Sequence, residues 1–168
     1  MLVGRYAHGG GYLFFNAGML AAMENEAQLA TVAAHEIAHI DRGHIQAGRS
    51  NRQAVQIGAL LASIGAAAVG INPNIANLGL NLGTSYAVNS FSRTQETDAD
   101  NVGIRYLVRA GYNGVEGAKS FAVLRRLYGN SSGPAAAFFA SHPASADRLA
   151  SLTAQARALD TFTGWPSK

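Results

Sequence analysis

The chain has 168 residues, 48% of them apolar and 14% charged, with a formal charge of +3 and a pI near 9.5, which suits one domain with a useful core and excludes a disordered chain. Its 13 Lys and Arg residues are scattered, with Arg125-Arg126 the one adjacent pair, so no basic stripe points to nucleic acid as a partner. It has no cysteine, so disulfides and thiolate-held metals are excluded and any transition metal must be held by His and carboxylates.

The first residues, MLVGRYAHGGG, carry a basic residue but no apolar stretch, so no signal peptide is visible there. Gly9–Gly11 followed by Tyr12, Leu13, Phe14 and Phe15 predict a turn into a strand. A short helix capped by Asn16 follows to Met23. Asn25 then caps a longer helix from Glu26 to about Gly48, with Glu26 at its positive end. Leu29, Val32, Ala33, Glu36, Ile37 and Ile40 have helical spacing.

From Ala54 to Phe91 there is no charged residue. Ala54–Ile71 is about the minimum length for a membrane span. It is only mildly hydrophobic, so a buried or surface-docked helix starting near Asn51 is expected. Pro73 marks a loop, and Ile75–Phe91 is read as another helix. Helices are predicted over Arg93–Ala110, stopped by GYNG, over Val115–Tyr128, and over Ser145–Leu159 after the Ser141-His142-Pro143 break. The whole reads as a mainly α chain with a small β-sheet (α+β), one domain spanning 1–168.

The chemistry begins with AAHEIAHIDRGH, residues 33–44. His35 and His39 are four apart on a helix, so they share a face and can hold one metal ion. Glu36 lies between them, turned round the helix. There it can sit beside a water on the metal without ligating the metal itself. With five His and five Glu in the chain, this HExxH pattern is expected by chance only roughly 0.004 times.

A catalytic zinc needs a third protein ligand and one open position. RTQETDAD, residues 93–100, supplies candidates: Glu96 and Asp100 are again four apart on one helix face. Glu96 has the longer reach and can ligate. Asp100 can accept the second ring N–H of a ligating histidine and fix its orientation. Asp98 points away from both and reads as a solvated charge. His44, five beyond His39, faces elsewhere on a continuous helix and is not assigned to the metal; His8 sits in a glycine-rich terminus.

HEIAH, then SRTQETDAD, then GYN resembles the M48 zinc metallopeptidases, a gluzincin family. Its second motif, ExxxD with Ala before the Asp, is matched by Glu96-Thr-Asp-Ala-Asp100. Asn-Ala-Gly-Met-Leu, Glu-Ala-Gln-Leu-Ala and the Ser-His-Pro ahead of Arg148-Leu149 extend the likeness over roughly residues 9–155. The resemblance implies a zincin-like domain of soluble or peripheral type. It implies one zinc ion per chain on His35, His39 and Glu96, with Glu36 as catalytic base and Asp100 behind a ligand. It also implies a polypeptide substrate, unfolded or misassembled, in the bacterial cell envelope, with peripheral membrane association open. Relatives begin further upstream of the glycine turn, so an N-terminally shortened domain is among the expectations.

On that basis the reaction is hydrolysis of peptide bonds by a zinc-bound water, with Glu36 as general base. His142 is the candidate for a second oxyanion donor, for a gate on the open metal position, or for a plain surface histidine. Arg148 can bind a substrate carbonyl or carboxylate, or form an internal salt bridge. Tyr12–Phe15 can pair with an extended peptide by strand addition, or serve as a core strand. The alternative to an enzyme is a peptide-binding, chaperone-like module with a gated or structural zinc.

Overall fold

The computed structural model describes residues 5–8, 12–15, 17–70, 91–128, 142 and 146–160. Strands β1 (Arg5–His8) and β2 (Tyr12–Phe15) pair antiparallel, with Arg5 opposite Phe15 and His8 opposite Tyr12. Six helices follow: α1 (Ala17–Ala22), α2 (Glu26–Asp41), α3 (His44–Ala68), α4 (Arg93–Arg109), α5 (Gly114–Tyr128) and α6 (Ala146–Asp160). The described chain is therefore mostly helical. The expected helix over 75–91, apart from its last residue Phe91, which is not helical, the short helical stretch after residue 134 and the Asn16 cap lie outside the described residues.

The helix boundaries follow local chemistry. The Asn25 side chain accepts from Gln28 N at 3.0 Å and starts α2. Ser92 and Gln95 form a reciprocal capping box, with bonds of 2.9 and 3.2 Å, that fixes the start of α4 at Arg93, three residues before Glu96. Gly111, at φ 84°, ends α4 in a conformation that costs glycine little.

Two expectations need correction. α2 stops at Asp41, not near Gly48, because Arg42 caps it and Gly43 takes φ 69°. The apolar helix does not begin near Asn51 but is continuous from His44. Nor is its apolar side buried among the described residues: Ile57, Leu60, Leu61 and Ile64 are all exposed. No helix among the described residues is long and apolar enough to cross a membrane.

The core lies where α2, α4, α5 and α6 meet. Ala34, Ile104, Leu107, Ala118, Leu152 and Ala156 are buried together, and Ile104 or Leu107 each contributes about 2 kcal/mol by leaving water. A smaller cluster of Met19, Val32 and Leu124 takes in Phe15 from β2, which anchors the hairpin to the helices. Small residues let the helices close up. A Cβ on Gly117 would lie 2.1 Å from Thr31 Oγ1, so α5 can approach α2 this closely only with glycine there.

Candidate metal centre

The decisive crossing is that of α2 and α4. A Cβ on Gly103 would sit 3.1 Å from both the N and Cα of His35. Ala34, Ala38 and Ala99 are buried, so the other side chains at this crossing are also small. Glu96 and Asp100, one turn apart on α4, are thereby brought against the face of α2 that carries His35 and His39.

Four ligand atoms converge there. His35 Nε2 and His39 Nε2 are 3.1 Å apart. Glu96 Oε1 is 3.2 Å from His39 Nε2, and its Oε2 is 3.6 Å from His35 Nε2. His142 Nδ1 stands 2.8 Å from Glu96 Oε1 and 3.4 Å from His35 Nε2. All four residues are buried, and one atom from each lies within 4.8 Å of the others. A tetrahedron with bonds of about 2.1 Å has edges of about 3.4 Å, so the donors are spaced as the edges of a zinc site.

The electrostatics suit a cation. Burial of Glu96 favours its neutral form, but hydrogen bonds with His142 and His39 outweigh this and hold the carboxyl well below its usual range. Burial drives the His39 ring down to about 4, against the pull of Glu96. At neutral pH, Glu96 is therefore ionised and His39 neutral, the forms a metal requires.

Glu36 projects from α2 beside this group, also buried, with Oε1 3.8 Å from His142 Nε2. Asp100 Oδ1 is 2.9 Å from His35 Nδ1, close but not aligned as a hydrogen bond. Arg148 Nε and Nη2 donate to the two oxygens of Asp100 at 2.7 and 2.8 Å, and Nη1 is 2.5 Å from Glu96 Oε2. Burial opposes ionisation of Asp100, but Arg148 and then His35 overcome it and lower its pKa. Of the two roles open to Arg148, this geometry is the internal salt bridge, with the guanidinium also 5.0 Å over the Phe121 ring.

A scan against protein-family models matches residues 3–156 to Peptidase family M48. The chain belongs to that family. It is 31% identical over 162 residues to a provisionally named beta-barrel assembly-enhancing protease of Vibrio cholerae, covering 92% of this chain and 33% of that relative. It is 28% identical over 118 residues to the beta-barrel assembly-enhancing protease of Escherichia coli K12, covering 66% of this chain and 24% of that protein. It is 30% identical over 149 residues to the metalloprotease LoiP of Escherichia coli K12, covering 87% and 56%. The M48 chain thus spans about a quarter to just over a half of these relatives' lengths.

Three residues of this site differ from the sequence reading. Phe91 stacks on His39, with ring centroids 3.9 Å apart and planes at 27°, and lies 5.1 Å from the His142 ring. Nothing in the sequence marked it, since it ends the charge-free stretch. Asp98 is not a spare solvated charge: it accepts from Arg42 Nε at 2.7 Å and lies 3.3 Å from His44 Nε2. The Arg42 hydrogen bond lowers its pKa. His44, expected to face elsewhere, is buried with Nδ1 3.0 Å from His39 Nδ1.

Proposed function

We propose that the chain is the catalytic part of a zinc-dependent endopeptidase, a single zincin-like domain over 1–168 in which α2 is the active-site helix and β1–β2 the small sheet. The observation that carries this is the buried convergence of His35, His39 and Glu96 at tetrahedral spacing with Glu36 alongside. These three side chains would hold the metal, one ion per chain. Zinc held there would polarise a peptide carbonyl and acidify water. Glu36 would accept a proton from the attacking water and return it to the departing amine, so that the amide gains one water across its C–N bond. Asp100 would hold the His35 ring in place, and Arg148 would hold Asp100.

His142 supports a second state of the same site. Its Nδ1 stands among the donor atoms, so it can serve as a fourth ligand and close the position a substrate carbonyl would need. This favours a gating role over an oxyanion role, and it is the observation on which the alternative, a binding module with a closed zinc, would rest. Strand β2 leaves Phe14 exposed, consistent with an extended peptide adding to the sheet through Tyr12–Phe15.

The relatives' names speak of beta-barrel assembly; together with the family resemblance this favours unfolded or misassembled proteins of the bacterial cell envelope as substrates. The test is metal content against ligand substitution. Wild type should retain one zinc per chain after dialysis, and Glu96→Ala should lose it. Equal zinc in both would remove Glu96 from the ligand set.

A further inference from the structure

The segment after His39 holds a group that the peptidase reading does not use. On an unbroken helix, a residue five positions after His39 would point about 140° away from it. Gly43 breaks the helix at φ 69°, and the chain restarts at His44 with its ring turned back. The rings of His39 and His44 meet edge to face, with centroids 5.0 Å apart and Nδ1 atoms 3.0 Å apart. On the far side, Asp98 Oδ2 lies 3.3 Å from His44 Nε2 and also takes the Arg42 hydrogen bond.

Two ring nitrogens at this separation share one proton, and the surroundings decide which holds it. Asp98, ionised beside Arg42, can only accept; its Oδ2 lies in ion-pair contact with His44 Nε2, which favours the neutral His44 tautomer that carries its proton on Nε2. Its Nδ1 is then an acceptor, and His39 must supply the Nδ1–H. The His39 lone pair is left on Nε2, the atom that faces His35 and Glu96.

We propose that His44, oriented by Asp98, is a positioning residue that fixes the tautomer and ring plane of His39 so that Nε2 is presented to the metal. This inference rests on the metal-site reading above. It gives each histidine of α2 a carboxylate support from α4: Asp100 acts on His35 directly, and Asp98 acts on His39 through His44. Outer partners of this kind commonly set metal affinity.

The test is zinc affinity of the full chain, read by competition with a chromophoric chelator. His44→Leu should bind zinc roughly 10- to 100-fold more weakly. His44→Asn should restore most of the loss, because the amide oxygen stands where Nδ1 stood and accepts the same hydrogen. Asp98→Asn should weaken binding in the wild-type background and add nothing to His44→Asn. The inference is overturned if His44→Leu binds as wild type does, if His44→Asn is no better than His44→Leu, or if the Asp98→Asn loss persists on His44→Asn. If wild type takes up no zinc, the metal-site reading falls and this inference with it; if wild type binds and the series is flat, only this inference falls. Should His44→Leu fail to fold, nitrogen-15 NMR of the wild-type histidines decides independently. His44 should be protonated on Nε2 and His39 on Nδ1, and the opposite tautomers would overturn the proposal.

Discussion

Arg148 and Asp100 form a buried two-point pair, with Nε–Oδ2 and Nη2–Oδ1 distances of 2.7 and 2.8 Å. The same guanidinium reaches Glu96 through Nη1, so one cation on α6 pairs with two of the three carboxylates of α4, Asp100 and Glu96. Removing one partner of a buried pair leaves an uncompensated charge. Arg148→Met should therefore lower unfolding free energy by about 3–5 kcal/mol, seen as an earlier urea midpoint. Arg148→Lys should recover only part of it, because an ammonium cannot repeat the two-point geometry. A wild-type midpoint in Arg148→Met would show that the pair adds nothing to stability.

The closeness of α2 and α4 yields a second expectation. Gly103→Ala would place a methyl group 3.1 Å from the His35 backbone, where the neighbours are main chain and cannot rotate away. It should cost about 1–3 kcal/mol of stability. It should also weaken zinc binding, since α4 carries Glu96. Chelator competition and a denaturation curve on the same preparation check both; a stable variant with unchanged zinc affinity would contradict the packing argument.

Acid should destabilise the metal-free protein in two stages. His39 titrates near 4 when folded and near its ordinary 6.5 when unfolded, so between these values the unfolded chain binds more protons. Stability from this group is whole above about 6.5 and falls by up to about 3 kcal/mol as the pH drops to about 4. Asp100, with its pKa depressed, adds stability above its unfolded value of about 3.9 and loses it as the pH falls further. Urea midpoints in chelator from pH 7.5 to 3 should show this order. A flat profile between 7.5 and 4.5 would contradict the buried neutral His39.

His142→Ala should keep zinc with reduced affinity and digest casein faster than wild type, because it removes the side chain that would fill the fourth position. Slower digestion with zinc retained would assign His142 to the reaction and not to closing the site.

Much of this site was legible because helical spacing is a short-range property. His35, Glu36 and His39, and then Glu96 and Asp100, each lie within one or two turns, and the caps at Asn25 and Ser92 fix their helices. The errors came where one residue changes direction or where the partner is distant. Continuous periodicity sent His44 away from His39, but the left-handed Gly43 reversed it. Helical spacing alone leaves Asp98 spare, because its partners, Arg42 and His44, flank that same turn and are distant in sequence. The exposed face of α3 could not be anticipated, since an apolar stretch does not say what covers it.

The central claim is that Glu36 moves the proton at a metal held by His35, His39 and Glu96. It is tested most directly by measuring zinc content and casein digestion for wild type and Glu36→Gln side by side. The account predicts one zinc per chain in both proteins and digestion only by wild type. Equal digestion by the two, with zinc retained, would contradict it.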